Sequence, residues 1–255
     1  MKKILNRVPE VTGSFWIIKV LATTVGETLA DYLSVNLKLG LSVTSYVMSA
    51  VLLIALLNQF RLKRYVPVSY WIVVVLMSIT GTLITDRLVD ELGVSLTTIN
   101  IVFSVVLSAV FWLWYSNEKT LAMHSINTAK RELFYWAAIL FTFALGTATG
   151  DFIAEALKLG YAQSALVFGV LIAIVATGYY YFRMNAVLAF WIAYILTRPL
   201  GASTGDLLSQ PTTNGGFGFG TVGTSMLFLS IIMSLVIYLS LKQKKLAPMP
   251  IDQQD

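Results

Sequence analysis

Apolar residues run along this chain in long blocks, separated by short polar stretches. Eight blocks stand out, at roughly 14–35, 41–60, 68–88, 94–115, 133–154, 161–182, 186–208 and 221–241. Each is close to the roughly 20 residues that a membrane-crossing helix needs. Each is apolar on all sides rather than alternating with period two, so helices are predicted and membrane-spanning strands are not. The expected fold is an all-α polytopic membrane protein with eight transmembrane helices in a single membrane domain over residues 1–255.

Composition agrees with that reading and narrows it. The 255 residues are 57% hydrophobic and 12% charged, with a mean hydropathy of +0.76. Soluble domains run at about 45–50% apolar and about 25% charged. A soluble enzyme, a disordered chain and a nucleic-acid-binding domain therefore fit poorly. With no Cys there is no disulfide framework, thiolate metal site or cysteine nucleophile. The single histidine, His124, cannot build a histidine-rich metal site by itself.

The net charge of +5 reads as orientation rather than as a nucleic-acid partner. With a cytoplasmic N-terminus, the inner segments hold Lys2, Lys3, Arg7, Arg61, Lys63, Arg64, Lys119, Lys130, Arg131, Arg183, Lys242, Lys244 and Lys245. The outer ends hold only Lys38, Arg87 and Lys158. Lys and Arg concentrate on the cytoplasmic side of membrane proteins, so both termini are predicted inside. Attraction to anionic lipid headgroups follows from the same bias. The basic start and apolar run at the N-terminus could pass for a signal peptide, but the same segment recurs along the chain.

That recurrence is the strongest signal in the sequence. An aromatic–Trp pair opens every odd-numbered block: Phe15-Trp16, Tyr70-Trp71, Tyr135-Trp136 and Phe190-Trp191. Ten residues after each Trp stands Gly26, Gly81, Gly146 or Gly201. Fifteen residues after it stands Asp31, Asp86, Asp151 or Asp206. A glycine precedes each even-numbered block, at Gly40, Gly93, Gly160 and Gly220, and four residues on comes a hydroxyl, Thr44, Thr97, Ser164 or Thr224. The units cover approximately 14–65, 68–118, 133–183 and 188–242, with a cytoplasmic loop at 116–131 and a Gly-rich outer loop at 211–220. Each is an in-to-out helix followed by an out-to-in helix, so the repeats are parallel. Leu37-Lys38-Leu39-Gly40 returns 120 residues later as Leu157-Lys158-Leu159-Gly160, which indicates a nested two-by-two duplication.

This four-fold two-helix repeat with its Trp resembles a family of bacterial multi-pass membrane proteins built from tandem repeats of unknown function, labelled uncharacterised membrane-anchored proteins. The resemblance runs from about Phe15 to Leu241. It implies the repeat fold and a bacterial cytoplasmic (inner) membrane location, and it supplies no activity.

The repeated residues therefore have to speak for themselves. Trp beside a second aromatic at the start of a span reads as an interfacial anchor. The repeat Gly, followed four residues later by Ala30, Thr85, Gly150 or Gly205, has the spacing that lets helices approach closely. The Asp residues carry the chemistry. Fifteen helical residues rise about 22 Å, which puts each Asp in the outer part of a hydrocarbon core of about 30 Å. An ionisable group there is costly and usually faces a protein interior or water. Two readings follow: carboxylates that cap turns at the outer headgroup level, or a cluster that binds a cation or carries protons.

Glu27 adds a carboxylate one residue after the first repeat Gly, and Asp90, Glu155 and Gln210 stand one turn beyond the Asp in units two to four. Two basic residues break the symmetry. Lys19 aligns with Val74, Ile139 and Tyr194, and Arg198 aligns with Thr23, Ser78 and Phe143. Lys19 is expected to snorkel to the cytoplasmic surface. Arg198, next to Pro199, is expected to pair with an acid on a neighbouring helix. Thr221-Val222-Gly223 in the outer loop has no counterpart in the other units, so it is not a channel filter, which repeats around a pore. The loop reads as flexible, and His124 falls in an interfacial inner loop.

The leading expectation is a transporter or channel for a small cation, with Asp31, Asp86, Asp151, Asp206 and Glu27 binding it. Thr44, Thr97, Ser164, Thr224, Arg198 and Lys19 would play supporting parts. Carboxylates and hydroxyls suit a hard divalent metal, manganese among them, at Asp31, Asp86, Asp151 and Asp206, and proton coupling could use the same residues. The alternatives are a transporter of a small organic, cationic solute, for which Trp112, Trp114, Tyr179, Tyr180 and Tyr181 are available, and a non-transporting scaffold or sensor. No HExxH and no His/Asp pair within a span occurs, so no enzyme and no cofactor is expected. The expected partners are the lipid bilayer and the small cation or solute, not nucleic acid.

Overall fold

A computed structural model describes residues 6–246 of the chain, the side chains of 245 and 246 excepted. Lys2 and Lys3, and the Lys245 side chain, lie outside the described residues. Eight long helices follow one another: α1 (Gly13–Asp31), α2 (Leu41–Arg61), α3 (Pro67–Asp86), α4 (Leu96–Glu118), α5 (Ala129–Asp151), α6 (Tyr161–Tyr181), α7 (Ala186–Ser209) and α8 (Gly220–Leu246). No strand occurs among the described residues.

Local sequence explains where the helices begin. Thr12, Ser95, Thr128 and Asn185 cap α1, α4, α5 and α7 by accepting hydrogen bonds from free backbone N–H groups. Pro67 opens α3, where its missing N–H costs nothing. The ends of α1, α3 and α5 share another device. Each passes straight into one wide π turn, Tyr32–Asn36, Arg87–Glu91 and Phe152–Ala156. These turns are closed by Leu37 N to Tyr32 O at 2.9 Å, Leu92 N to Arg87 O at 3.1 Å and Leu157 N to Phe152 O at 2.9 Å. The repeat Asp is the last α-helical residue before the turn, and π turns often accompany functional positions.

The odd helices form a closed inner ring in which α1 packs on α3, α3 on α5, α5 on α7, and α7 on α1. The even helices pack outside it. Each crosses to the odd helix of the following unit, α2 to α3, α4 to α5 and α6 to α7, and α8 closes the circle on α1. Burial follows the two rings: 67% of the apolar stretch of α3 is buried, against 17% for α2, α4 and α6. Leu53, Ile54, Val105, Leu166, Ile174 and Met233 point outward from this outer ring. An exposed apolar belt of that kind suits lipid rather than water. Seven helices are long and apolar enough to cross a membrane, and α1 is the exception. Its Lys19 and Glu27 are both buried inside the ring.

The repeat Gly marks where the inner helices touch. A Cβ on Gly26 would overlap Ser78, one on Gly81 would meet Phe143, one on Gly146 would overlap Arg198, and one on Gly201 would overlap Thr23. In each case the partner is the residue seven after the Trp of the next unit around the ring. One contact thus recurs four times, and only glycine fits it.

The aromatic pairs occupy a place the sequence reading did not give them. Trp71, Trp136 and Trp191 are buried, and Trp16 is partly so. They are not anchors facing the lipid interface. Each Trp packs on the aromatic residue that opens the preceding unit: Trp71 on Phe15 at 5.7 Å, Trp136 on Tyr70 at 5.4 Å, Trp191 on Tyr135 at 6.2 Å and Trp16 on Phe190 at 5.6 Å. Eight rings thereby close one end of the bundle. The same end is fastened by Glu132, which is fully buried and accepts from Arg7 at 2.7 Å and Gln59 at 3.1 Å.

Candidate functional site

Counting in steps of four from the aromatic residue that precedes each Trp yields the residues that meet on the bundle axis. Side chains four apart form one ridge of a helix, and the odd helices turn this ridge inward. The first layer is Phe15, Tyr70, Tyr135 and Phe190, with the Tyr70 and Tyr135 hydroxyls hydrogen-bonded to each other. The second is Lys19, Val74, Ile139 and Tyr194, and the third is Thr23, Ser78, Phe143 and Arg198; all eight are fully buried. The fourth is Glu27, Thr82, Thr147 and Ala202. The fifth is the four Asp residues, and the sixth is Val35, Asp90, Glu155 and Gln210.

Charge is sorted along these layers. The cations come first. Lys19 does not snorkel to the surface as expected. It is fully buried, with its ammonium 4.3 Å from the Tyr194 ring centre, 4.6 Å from that of Phe143 and 3.4 Å from the Tyr194 carbonyl. The surrounding α3, α5 and α7 leave it no route outward, and the aromatic faces replace part of its hydration. Arg198 reaches across the axis to all three other inner helices. Its guanidinium donates to Glu27 at 2.8 Å, to Thr147 at 2.6 Å, to Thr82, and to the Thr23 carbonyl at 3.2 Å.

The anions follow. Glu27, Asp31, Asp86, Asp151 and Asp206 line a single cavity of about 180 Å³ together with Asp90, Glu155 and Gln210. It lies among the ends of α1, α3, α5 and α7 and the starts of α2 and α4, at the opposite end from the aromatic rings. Asp90 and Glu155 are exposed, so the cavity reaches the surface there. Glu27, Asp151 and Asp206 each place a carboxylate oxygen within 4.8 Å of the others. Three oxygens at that separation can share one cation in the way hard divalent metals are held. The carboxylates of Asp31, Asp86, Asp151 and Asp206 accept no hydrogen bond and form no ion pair with protein groups among the described residues. They are therefore not turn caps.

The second-helix hydroxyls are a correction. Thr44, Thr97, Ser164 and Thr224 do not line the cavity. Thr44 bonds the Gly40 carbonyl of its own helix at 2.7 Å, and Ser164 accepts from Ser203 at 2.9 Å. Thr97 is not equivalent to the others. Gly93 has φ +65° and stands 22 residues after Trp71, where Lys38 and Lys158, both at +57°, follow Trp16 and Trp136. Ser95 therefore takes the place of Gly40, and buried Ile99 takes that of Thr44, leaving Thr97 exposed. The Gly-rich loop folds back on α7 through Phe217 N to Leu207 O at 2.6 Å and Phe219 N to Leu208 O at 2.9 Å. Thr82 and Thr147 were not singled out as a pair in the sequence, although their alignment with Glu27 marks their layer.

A second cavity of about 570 Å³ opens between α1, α6 and α7 near the aromatic end. Trp16, Phe190, Tyr179, Tyr180 and His124 contribute to it, but no carboxylate does.

An inner helical ring with a charged axis, wrapped by outer helices that present apolar side chains, defines a multi-pass membrane protein built on a repeated helix pair. The chain belongs to the family described as Repeat of Unknown Function (DUF347), whose model matches residues 14–65, 69–120, 134–185 and 189–245. Neither a curated protein nor a solved structure matches it.

Proposed function

We propose that the protein is a membrane transporter or channel for a small cation, with a hard divalent metal such as manganese as the candidate. The observation that carries this reading is the convergence of Asp31, Asp86, Asp151, Asp206 and Glu27 on one cavity. Gathering that many carboxylates inside an apolar bundle, Glu27 and Asp206 buried and the other three partly so, is costly unless a cation or proton shares the site. The cavity, at about 180 Å³, is smaller than the roughly 300–1,000 Å³ of ordinary organic-ligand pockets. An organic cation would fit the larger cavity by α6, but finds no carboxylate there.

In this reading α1 is the eighth span, because it belongs to the same ring as α3, α5 and α7. The aromatic end, with Arg7, Arg61, Lys63, Arg64 and Arg131 near it, faces the cytoplasm of a bacterial inner membrane, and both termini lie inside. The acidic cavity then opens outward. The site works by charge and position: carboxylates draw a cation in, and in this conformation Arg198, Lys19 and the aromatic layers close the way onward, so release to the other side requires them to move. The test is to convert the four Asp residues to Asn and measure cellular metal content and metal tolerance across a panel of cations. Reduced handling of one divalent ion supports the proposal, and unchanged values for every ion overturn it.

A further inference from the structure

We propose that Arg198 is a tethered counter-cation: it occupies Glu27 when the cavity is empty and must be displaced from it when a divalent cation settles among Glu27, Asp151 and Asp206. This rests on the reading of the cavity as a divalent-cation site, and adds to it the residue that competes with the ion.

Three observations carry the inference. First, Glu27 belongs to both arrangements. Its carboxylate accepts from Arg198 at 2.8 Å, and it offers an oxygen within 4.8 Å of those of Asp151 and Asp206. A dication and the guanidinium on that one carboxylate repel each other and compete for its charge. Second, Asp206 is only 8% exposed and lines the cavity, yet its carboxylate accepts no hydrogen bond from any described protein group. A side chain more than nine-tenths buried whose carboxylate faces a cavity with no protein donor is placed to receive a ligand. Third, the guanidinium has somewhere to go. Thr147, Thr82 and the Thr23 carbonyl are neutral acceptors already in contact with it. Arg198 can therefore let go of Glu27 and keep partners, while its stem stays pinned against Gly146. The repeat explains why this device is single. The positions equivalent to Arg198 are Thr23, Ser78 and Phe143, and those equivalent to Glu27 are Thr82, Thr147 and Ala202.

The test is Mn²⁺ binding to the purified full chain in detergent, followed by electron paramagnetic resonance. The variants are Arg198→Met, Glu27→Gln, the double variant, and Thr82→Val/Thr147→Val. Gel filtration and Trp emission establish that each is folded. Arg198→Met is expected to bind at least tenfold more tightly than the unaltered protein, and Glu27→Gln at least tenfold more weakly. In the Glu27→Gln background, Arg198→Met should bring no gain. Thr82→Val/Thr147→Val keeps every charge but removes the neutral berth, so it should weaken binding severalfold. This pair decides the matter if Arg198→Met does not fold. Unchanged or weaker binding in Arg198→Met, or unchanged binding in the threonine pair, overturns the competition while leaving the cation site standing. Absence of Mn²⁺ binding by the unaltered protein overturns both.

Discussion

Glu27 and Arg198 meet at 2.8 Å in the middle of the bundle, although 171 residues separate them in the chain. Both are almost wholly buried, and only Glu27 touches the acidic cavity. Removing one partner of such a pair leaves an uncompensated charge, at a cost of about 3–5 kcal/mol. Glu27→Gln and Arg198→Met are each expected to lower the thermal unfolding temperature in detergent. The double variant is expected to regain most of the loss. A double variant no better than the worse single one would show that the pair does not act as a unit.

The helix contacts predict a sharp contrast among glycines. Gly26→Ala and Gly201→Ala force a methyl into Ser78 and Thr23, and overpacking of this kind costs about 1–3 kcal/mol. Gly169→Ala and Gly223→Ala, with nothing within 4 Å, should be neutral or stabilising by up to about 1 kcal/mol. Ser78→Gly should partly rescue Gly26→Ala. The comparison is made by thermal unfolding, and equal effects at all four positions would contradict the ring packing.

Burial separates two kinds of Trp. Trp136 is 2% exposed and packs in the aromatic end, whereas Trp112 is 67% exposed on the outer ring. Trp136→Ala should destabilise by about 3–5 kcal/mol, and Trp112→Ala should stay within about 0.5 kcal/mol of the unaltered protein. Similar losses at both sites would restore the view of the repeat Trp as interfacial anchors.

Orientation is open to direct labelling, because the chain has no Cys of its own. A cysteine at Asn214, beside the acidic end, should react in intact cells with a membrane-impermeant maleimide. A cysteine at Ser116, at the aromatic end, should react only after the membrane is opened. The reverse pattern would turn the cavity toward the cytoplasm.

Much of this was legible in the sequence, because the repeat imposes the same physical demand four times. The apolar runs defined helices, and the Asp spacing put four carboxylates at one level, where the cavity is found. What the sequence hid were partners rather than positions. Trp is amphipathic, so hydropathy alone does not separate a lipid-facing Trp136 from one wedged against Tyr70. Lys19 has a long stem that could reach a surface, and only the surrounding α3, α5 and α7 exclude that route. The packing of α2 on α3 instead of α1 is a tertiary contact that the apolar pattern does not encode. Thr97 was misaligned because Gly93 and Gly40 are both left-handed glycines at different places in their loops.

The central claim is that the four Asp residues and Glu27 move or hold a divalent cation across the membrane. Its most direct measurement is Mn²⁺ flux into proteoliposomes loaded with a divalent-sensitive dye. The unaltered protein should give saturable uptake, and the variant with Asp31, Asp86, Asp151 and Asp206 all changed to Asn should lose at least tenfold of the rate. No uptake of Mn²⁺, Mg²⁺ or Ca²⁺ by the unaltered protein, or full uptake by the Asn variant, would contradict the account.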